Sequence, residues 1–129
     1  MGNKGFLIDT NVAIDYIGEL LPGHRLDMLD SIIDGQFYIS IINKIELLGF
    51  TGITENEEFH FQELINAANI LDLDEGIVQK TIELRRTYKI KLPDAIIAAS
   101  AFVNELTVIT RNAKDFIKIQ GLDVLNPYN

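Results

Sequence analysis

The stretch Leu92-Pro93-Asp94-Ala95-Ile96-Ile97-Ala98-Ala99-Ser100-Ala101-Phe102-Val103, followed at Thr107-Val108-Ile109 by a short β-branched run, decides the fold. Its apolar residues recur on every face of a helix and leave almost no polar stripe, so this helix must be buried against a sheet. Pro93 suits a helix start, where its missing N–H has no partner to lose, and it disfavours helix at Leu92. The expected helix therefore covers residues 94–105 and puts Asp94 in its first turn, where the dipole favours an anion.

Outward from this stretch, short apolar runs alternate with longer segments of helical spacing. Strands are expected at 6–8, 37–42, 70–71 and 107–109, with a last one near 122–125. Helices are expected over 12–20, 26–33, 42–50, 57–69 and 75–88. Strands alternating with helices are the βαβ pattern of a parallel sheet, an α/β fold. The 129 residues, 47% hydrophobic and 23% charged, correspond to one domain spanning 1–129. No repeat or low-complexity linker divides it, and the three prolines are scattered.

Several classes fall away on composition. The longest nearly apolar run, residues 95–103, is far shorter than the ~20 residues that span a bilayer. The amino-terminal residues carry no apolar stretch of secretory type, so a cytoplasmic location is the expectation. Without cysteine there is no disulfide, thiolate metal site or cysteine nucleophile. His24 and His60 lack metal-ligand spacing, and there is no phosphate-binding glycine loop and no G-x-S-x-G. An aspartyl-phosphate phosphatase would need a second aspartate where this chain has Asn11.

The formal charge of −8 speaks at first against a nucleic-acid partner. Its distribution says otherwise. Residues 85–118 hold Arg85, Arg86, Lys89, Lys91, Arg111, Lys114 and Lys118 against three acids, a local balance of +4.

Four carboxylates stand out. Asp9 closes the strand Phe6-Leu7-Ile8, with Thr10-Asn11 as the expected cap of the next helix. Glu46 lies on the helix after the second strand, and Asp115 follows the strand at 107–109 in Thr110-Arg111-Asn112-Ala113-Lys114-Asp115-Phe116. Asp94 opens the apolar helix. Each alone is an ordinary strand-end, surface or first-turn acid. Together, all four can converge on one end of a parallel sheet, where ligands of such folds bind. Carboxylates so close together repel, which calls for raised pKa values or bound cations, and oxygen donors without His or Cys suit Mg²⁺ or Mn²⁺. The implied chemistry is metal-dependent hydrolysis of a phosphodiester.

Leu7-Ile8-Asp9-Thr10-Asn11-Val12, the helical Glu46, Leu92-Pro93-Asp94-Ala95-Ile96-Ile97-Ala98-Ala99 and the 110–116 stretch resemble, in order and spacing, the PIN-domain ribonucleases. Within them the resemblance is to VapC-type toxins of toxin–antitoxin modules, and it runs from Phe6 to about Leu125. It implies a PIN-like three-layer fold, with a parallel sheet of about five strands flanked by helices. It further implies an endoribonuclease of a type II toxin–antitoxin system, in which Asp9, Glu46, Asp94 and Asp115 hold Mg²⁺ or Mn²⁺ and a metal-bound water attacks RNA. Thr10, Asn11, Thr110 and Asn112 would support the carboxylates through hydrogen bonds. The implied partners are RNA, a VapB-type antitoxin and a second copy of the chain.

Tyr16, Ile17, Leu20, Leu21, Met28, Leu29, Phe50, Phe59 and Phe61 are the candidate antitoxin surface. Arg85, Arg86, Lys89, Lys91, Arg111 and Lys114 are candidates for phosphate contacts. The alternatives are a PIN nuclease of RNA processing or single-stranded DNA without an antitoxin, and an inert PIN-like interaction module.

Overall fold

A computed structural model of the chain describes residues 5–128. Among these residues, five parallel strands form one sheet, β1 (Phe6–Ile8), β2 (Tyr38–Ser40), β3 (Asn69–Leu71), β4 (Thr107–Ile109) and β5 (Val124–Leu125), in the order β3-β2-β1-β4-β5. Seven helices connect them: α1 (Thr10–Ile17), α2 (Gly23–Asp34), α3 (Ile41–Gly49), α4 (Glu55–Ala67), α5 (Glu75–Thr87), α6 (Leu92–Val103) and α7 (Ala113–Ile117). The PIN-like α/β architecture anticipated from the sequence is the one observed.

Strand alternation divides the core into two layers. On one face Leu7 and Val108 pack with Ile77 and Leu84 of α5, Ile97 of α6 and Phe116 of α7. On the other, Ile8, Ile39 and Ile109 pack with Val12, Leu29, Leu47 and Phe61 of α1 to α4. Every side chain named here is at most 3% exposed, as expected of strands that are covered on both sides.

Helix α6 buries seven consecutive residues, Ala95 to Ala101, against the sheet and α5. Its alanines let backbones approach closely. A larger side chain at one of them would overpack the layer at a cost of about 1–3 kcal/mol. Among the described residues no helix is long and apolar enough to cross a membrane.

Element boundaries depart from the sequence expectation where side chains compete for the backbone. The apolar run at 37–42 yields a strand of only three residues, because Ser40 starts a capping box. Its hydroxyl accepts from Ile42 N–H at 3.1 Å, while Asn43 Oδ1 accepts from Ser40 N–H at 2.8 Å, which turns Ile41 and Ile42 into helix. The first helix is capped by Asp9 itself, whose carboxylate accepts from Thr10 N–H, so Thr10 and Asn11 lie inside the helix. Helix α6 begins at Leu92 despite the following proline. Its first hydrogen bond runs from Ala95 N–H to the Lys91 carbonyl, and burial of the 95–101 run outweighs the pre-proline preference. The short helix α7 was not expected. In α4 the Thr54–Glu57 capping box moves the start to Glu55.

Strand β1 is the switch point of the sheet, since the chain leaves it toward β2 on one side and returns as β4 on the other. At the carboxyl ends of these strands the connections part to opposite sides, and that leaves a crevice.

Candidate active site

Asp9 emerges from the end of β1 and is 6% exposed. Its backbone N–H donates to the Ile109 carbonyl at 2.9 Å, which fixes it beside the end of β4. Three donors converge on its carboxylate: Thr110 Oγ1 at 2.8 Å, Thr10 N–H at 2.9 Å and Asn43 Nδ2 at 3.4 Å. Burial raises the Asp9 pKa and the charge of Glu46 raises it further. The Thr110, Thr10 and Asn43 hydrogen bonds pull the other way, and the net shift is upward.

Glu46, on the exposed side of α3, accepts from Thr10 Oγ1 at 2.6 Å. The same hydroxyl accepts from Asn43 Nδ2 at 2.9 Å. Asn43 is completely buried, so one amide ties the Ser40 backbone, Thr10 and Asp9 into a single network.

Asp94, in the first turn of α6, is pushed above the ordinary carboxylate range by burial and by the charges of Asp9, Asp115 and Glu46, while Lys91 opposes the shift. The fields of the other three acids therefore meet at Asp94. Asp9, Glu46 and Asp94 line one cleft of about 450 Å³ together with Thr10, Asn11 and Asn112. Asp115 stands beside it, on the wall of a neighbouring cleft, and its Oδ2 accepts from Asn112 Nδ2 at 2.7 Å. Thr110 is buried beneath, and its hydroxyl also accepts from Asn112 N–H at 3.0 Å.

Of the anticipated supporting residues, Thr10, Thr110 and Asn112 each bond a carboxylate. Asn11 is exposed at the mouth and bonds none of the four acids among the described residues. Sequence reasoning missed Asn43 and Ser40, although Ser40-x-x-Asn43 is a capping-box variant. It also missed Ile14 and Glu57, which complete the lining of the cleft together with Phe50, a residue of the candidate antitoxin surface.

The donor set, oxygen throughout, suits a hard divalent cation, and the upward shifts of Asp9 and Asp94 mark negative charge that such a cation would relieve. As the side chains stand, no three acidic or imidazole groups among the described residues are close enough together to hold one ion. The residues thus fit a cation in chemical kind, and its cage is not fully assembled.

Elsewhere, Leu21, Leu29 and Phe61 are core residues rather than a partner surface, being 6%, 0% and 2% exposed. Leu29 of α2, Phe61 of α4 and Leu21 of the turn between α1 and α2 pack in the core layer with Ile8 and Ile39. Leu20 and Phe59 are the strongly exposed members of that set, at 70% and 59%. Arg111 donates to the buried Asp15 at 3.1 Å, and Asp15 also accepts from the Tyr128 hydroxyl.

The PIN-domain family model matches residues 6–122. A chain of a toxin–antitoxin complex from Klebsiella pneumoniae is 33% identical, with 97% of this chain and 99% of that chain covered and a TM-score of 0.78. A chain of FitAcB from Neisseria gonorrhoeae is 28% identical, over 96% of this chain and 99% of that one, with a TM-score of 0.76. A chain of DNA-bound VapBC from Salmonella typhimurium, 23% identical, shares the fold at a TM-score of 0.80 over 97% and 99% of the two chains. No curated protein matches the chain. Matched by the family model over nearly its whole length, this chain belongs to the PIN-domain family.

Proposed function

We propose that the chain, acting as a single PIN domain, is the VapC-type toxin of a toxin–antitoxin pair and a divalent-metal-dependent ribonuclease. The observation that carries this reading is the meeting of Asp9, Glu46 and Asp94 in one cleft at the sheet's switch point, with Asp115 beside it. Membership of the PIN-domain family and the likeness to chains of toxin–antitoxin complexes support it.

In this proposal Asp9, Glu46, Asp94 and Asp115 hold Mg²⁺ or Mn²⁺. When bound, the cation supplies Lewis-acid polarisation of the scissile phosphodiester and makes water a stronger nucleophile. The chain's own part is to keep its carboxylates charged and aimed. Thr110 Oγ1 and Thr10 N–H hold Asp9 in one rotamer, Thr10 Oγ1 orients Glu46, and Asn112 fixes Asp115. Asn11 lines the mouth, where it is placed to meet substrate. The antitoxin docks on the surface marked by Leu20 and Phe59, and the working form is a homodimer.

Wild-type chain incubated with RNA should cleave it with Mg²⁺ or Mn²⁺ and not with EDTA, and its expression should arrest growth. Asp94→Asn should lose at least 100-fold in cleavage, as expected of a group acting on the reacting charge, and should be harmless when expressed. Full activity in Asp94→Asn or in EDTA would overturn the mechanism. Mn²⁺ binding without cleavage would favour an inert interaction module.

A further inference from the structure

Beside the acid cleft, Arg85, Lys89, Ile90, Lys91, Asp115 and Lys118 bound a second cleft of about 560 Å³. Resting on the ribonuclease reading, we propose that this cleft is a subsite for a backbone phosphate of single-stranded RNA, adjacent to the phosphate that is cut. It takes Lys118 in addition to the cations anticipated from sequence and leaves out Arg86, Arg111 and Lys114.

Three observations carry the proposal. First, the cleft gathers four cations in a chain of charge −8, and none of the four is in an ion pair among the described residues. Two basic side chains outside it are engaged by acids, Lys80 on Glu83 at 3.0 Å and Arg111 on Asp15. Arg85 alone is accounted for by the carboxyl end of α5, whose dipole favours a cation. Lys89, Lys91 and Lys118 lie beyond that helix, and their mutual repulsion is relieved by an anion.

Second, the walls are braced. Lys118 Nζ donates to the Lys89 carbonyl at 2.6 Å and Gln120 N–H donates to the Tyr88 hydroxyl at 3.1 Å, which ties the end of α7 to the 88–91 segment.

Third, the cleft shares a wall with the acid site. Asp115 lines it and accepts from Asn112, which lines the acid cleft, and Lys91 is the N-terminal cap residue of the helix whose first turn holds Asp94. One nucleic-acid strand with a phosphate at the acids therefore brings another to the lysines. An acidic polypeptide has no such reason to lie across Asp94 and Asp115.

The test pairs binding with cleavage. Affinity of wild-type chain for a labelled single-stranded oligoribonucleotide is measured in EDTA across a fourfold rise in KCl, and cleavage of the same RNA is measured with Mg²⁺. K89Q/K91Q/K118Q should lower the salt slope by about 2, so that wild type loses roughly 20-fold more affinity than the variant over that rise. Its cleavage should show a raised KM with little change in kcat. The arginine triple K89R/K91R/K118R should restore both, and Lys80→Gln, the loss of one positive charge on α5 outside the cleft, should alter neither.

A slope and KM in the triple variant equal to those of Lys80→Gln overturn the subsite while wild-type cleavage stands. Loss of binding to poly-glutamate instead of RNA assigns the cleft to a protein partner and overturns it equally. A wild type that neither binds nor cuts RNA removes the ribonuclease reading and the subsite with it.

Discussion

Replacing Thr110 by valine exchanges one hydroxyl for a methyl at nearly constant shape, in a side chain with no solvent exposure. Two interactions are lost. The first is the 2.8 Å hydrogen bond to the Asp9 carboxylate. A bond to a charged acceptor contributes about 1.5–3 kcal/mol. The second is the acceptor of Asn112 N–H, whose stranding costs about 1–3 kcal/mol when fully buried and less here, because Asn112 is only half-buried. The expected loss is about 2–4 kcal/mol at neutral pH. At roughly 3–5 °C per kcal/mol for a chain of this size, Tm should fall by on the order of 10 °C.

The pH dependence separates the two contributions. The hydroxyl favours ionised Asp9, whose folded pKa lies above the ordinary value and rises further without it, so the deficit is complete only above the folded pKa of the variant. It shrinks as pH falls through it, toward the part owed to Asn112. Thr110→Ser, which keeps the hydroxyl, should retain most of the stability. Thermal and urea melts at pH 4 and pH 8 measure all of this. A loss under about 0.5 kcal/mol, or one identical at both pH values, refutes the assignment of Thr110 as the principal support of Asp9.

Two further outcomes follow from the same contacts. Asp9 and Asp94 have folded pKa values raised above their unfolded ones, so their contribution to stability is greatest below about pH 4 and is lost as pH rises through the folded values. The Tm of Asp94→Asn relative to wild type should therefore climb between pH 4 and pH 7 in EDTA, and a flat difference would contradict the mutual repulsion at the site. Asp15→Ala leaves Arg111 to solvent and strands the half-buried Tyr128 hydroxyl, and should cost about 1–2 kcal/mol in urea unfolding. The Tyr128 phenol, raised by burial and by Asp15, should titrate at lower pH in that variant, which an ultraviolet titration reads directly.

The sheet and the four acids were legible because they depend on local signals. Phe6-Leu7-Ile8 and Thr107-Val108-Ile109 read as strands, and both pair side by side at the centre of the sheet. Asp94 was placed in the first turn by Pro93. What could not be read was the competition between side chain and backbone. The 37–42 run looks like one strand until Ser40 and Asn43 take over the backbone groups that would continue it. Asn43 also escaped notice because its partners, Asp9 and Thr10, are 34 and 33 residues away in sequence. Leu29 and Phe61 have the helical spacing of either an interface or a core, and only the packing of α1 to α4 on the sheet decides between them, as it does for Leu21 in the turn before α2. The second cleft required knowing that the fold brings Lys118, at the end of α7, against Arg85, Lys89 and Lys91.

The pairing of β1 with β4 joins residues about 100 positions apart, Phe6 with Thr107 and Ile8 with Ile109, and the Thr110–Asp9 contact spans 101. A ribosome adding about 5–20 residues per second therefore exposes β1 several seconds before its central neighbour exists. Until β4 emerges Asp9 lacks its principal donor, so an unfinished chain carries the first acid of the quartet without the means to aim it. Closing so long a loop must also await most of the chain, which makes the completed site one of the last features to form. On the ribonuclease reading proposed above, the chain is thereby kept harmless to the message from which it is being made until the 107–110 segment has emerged.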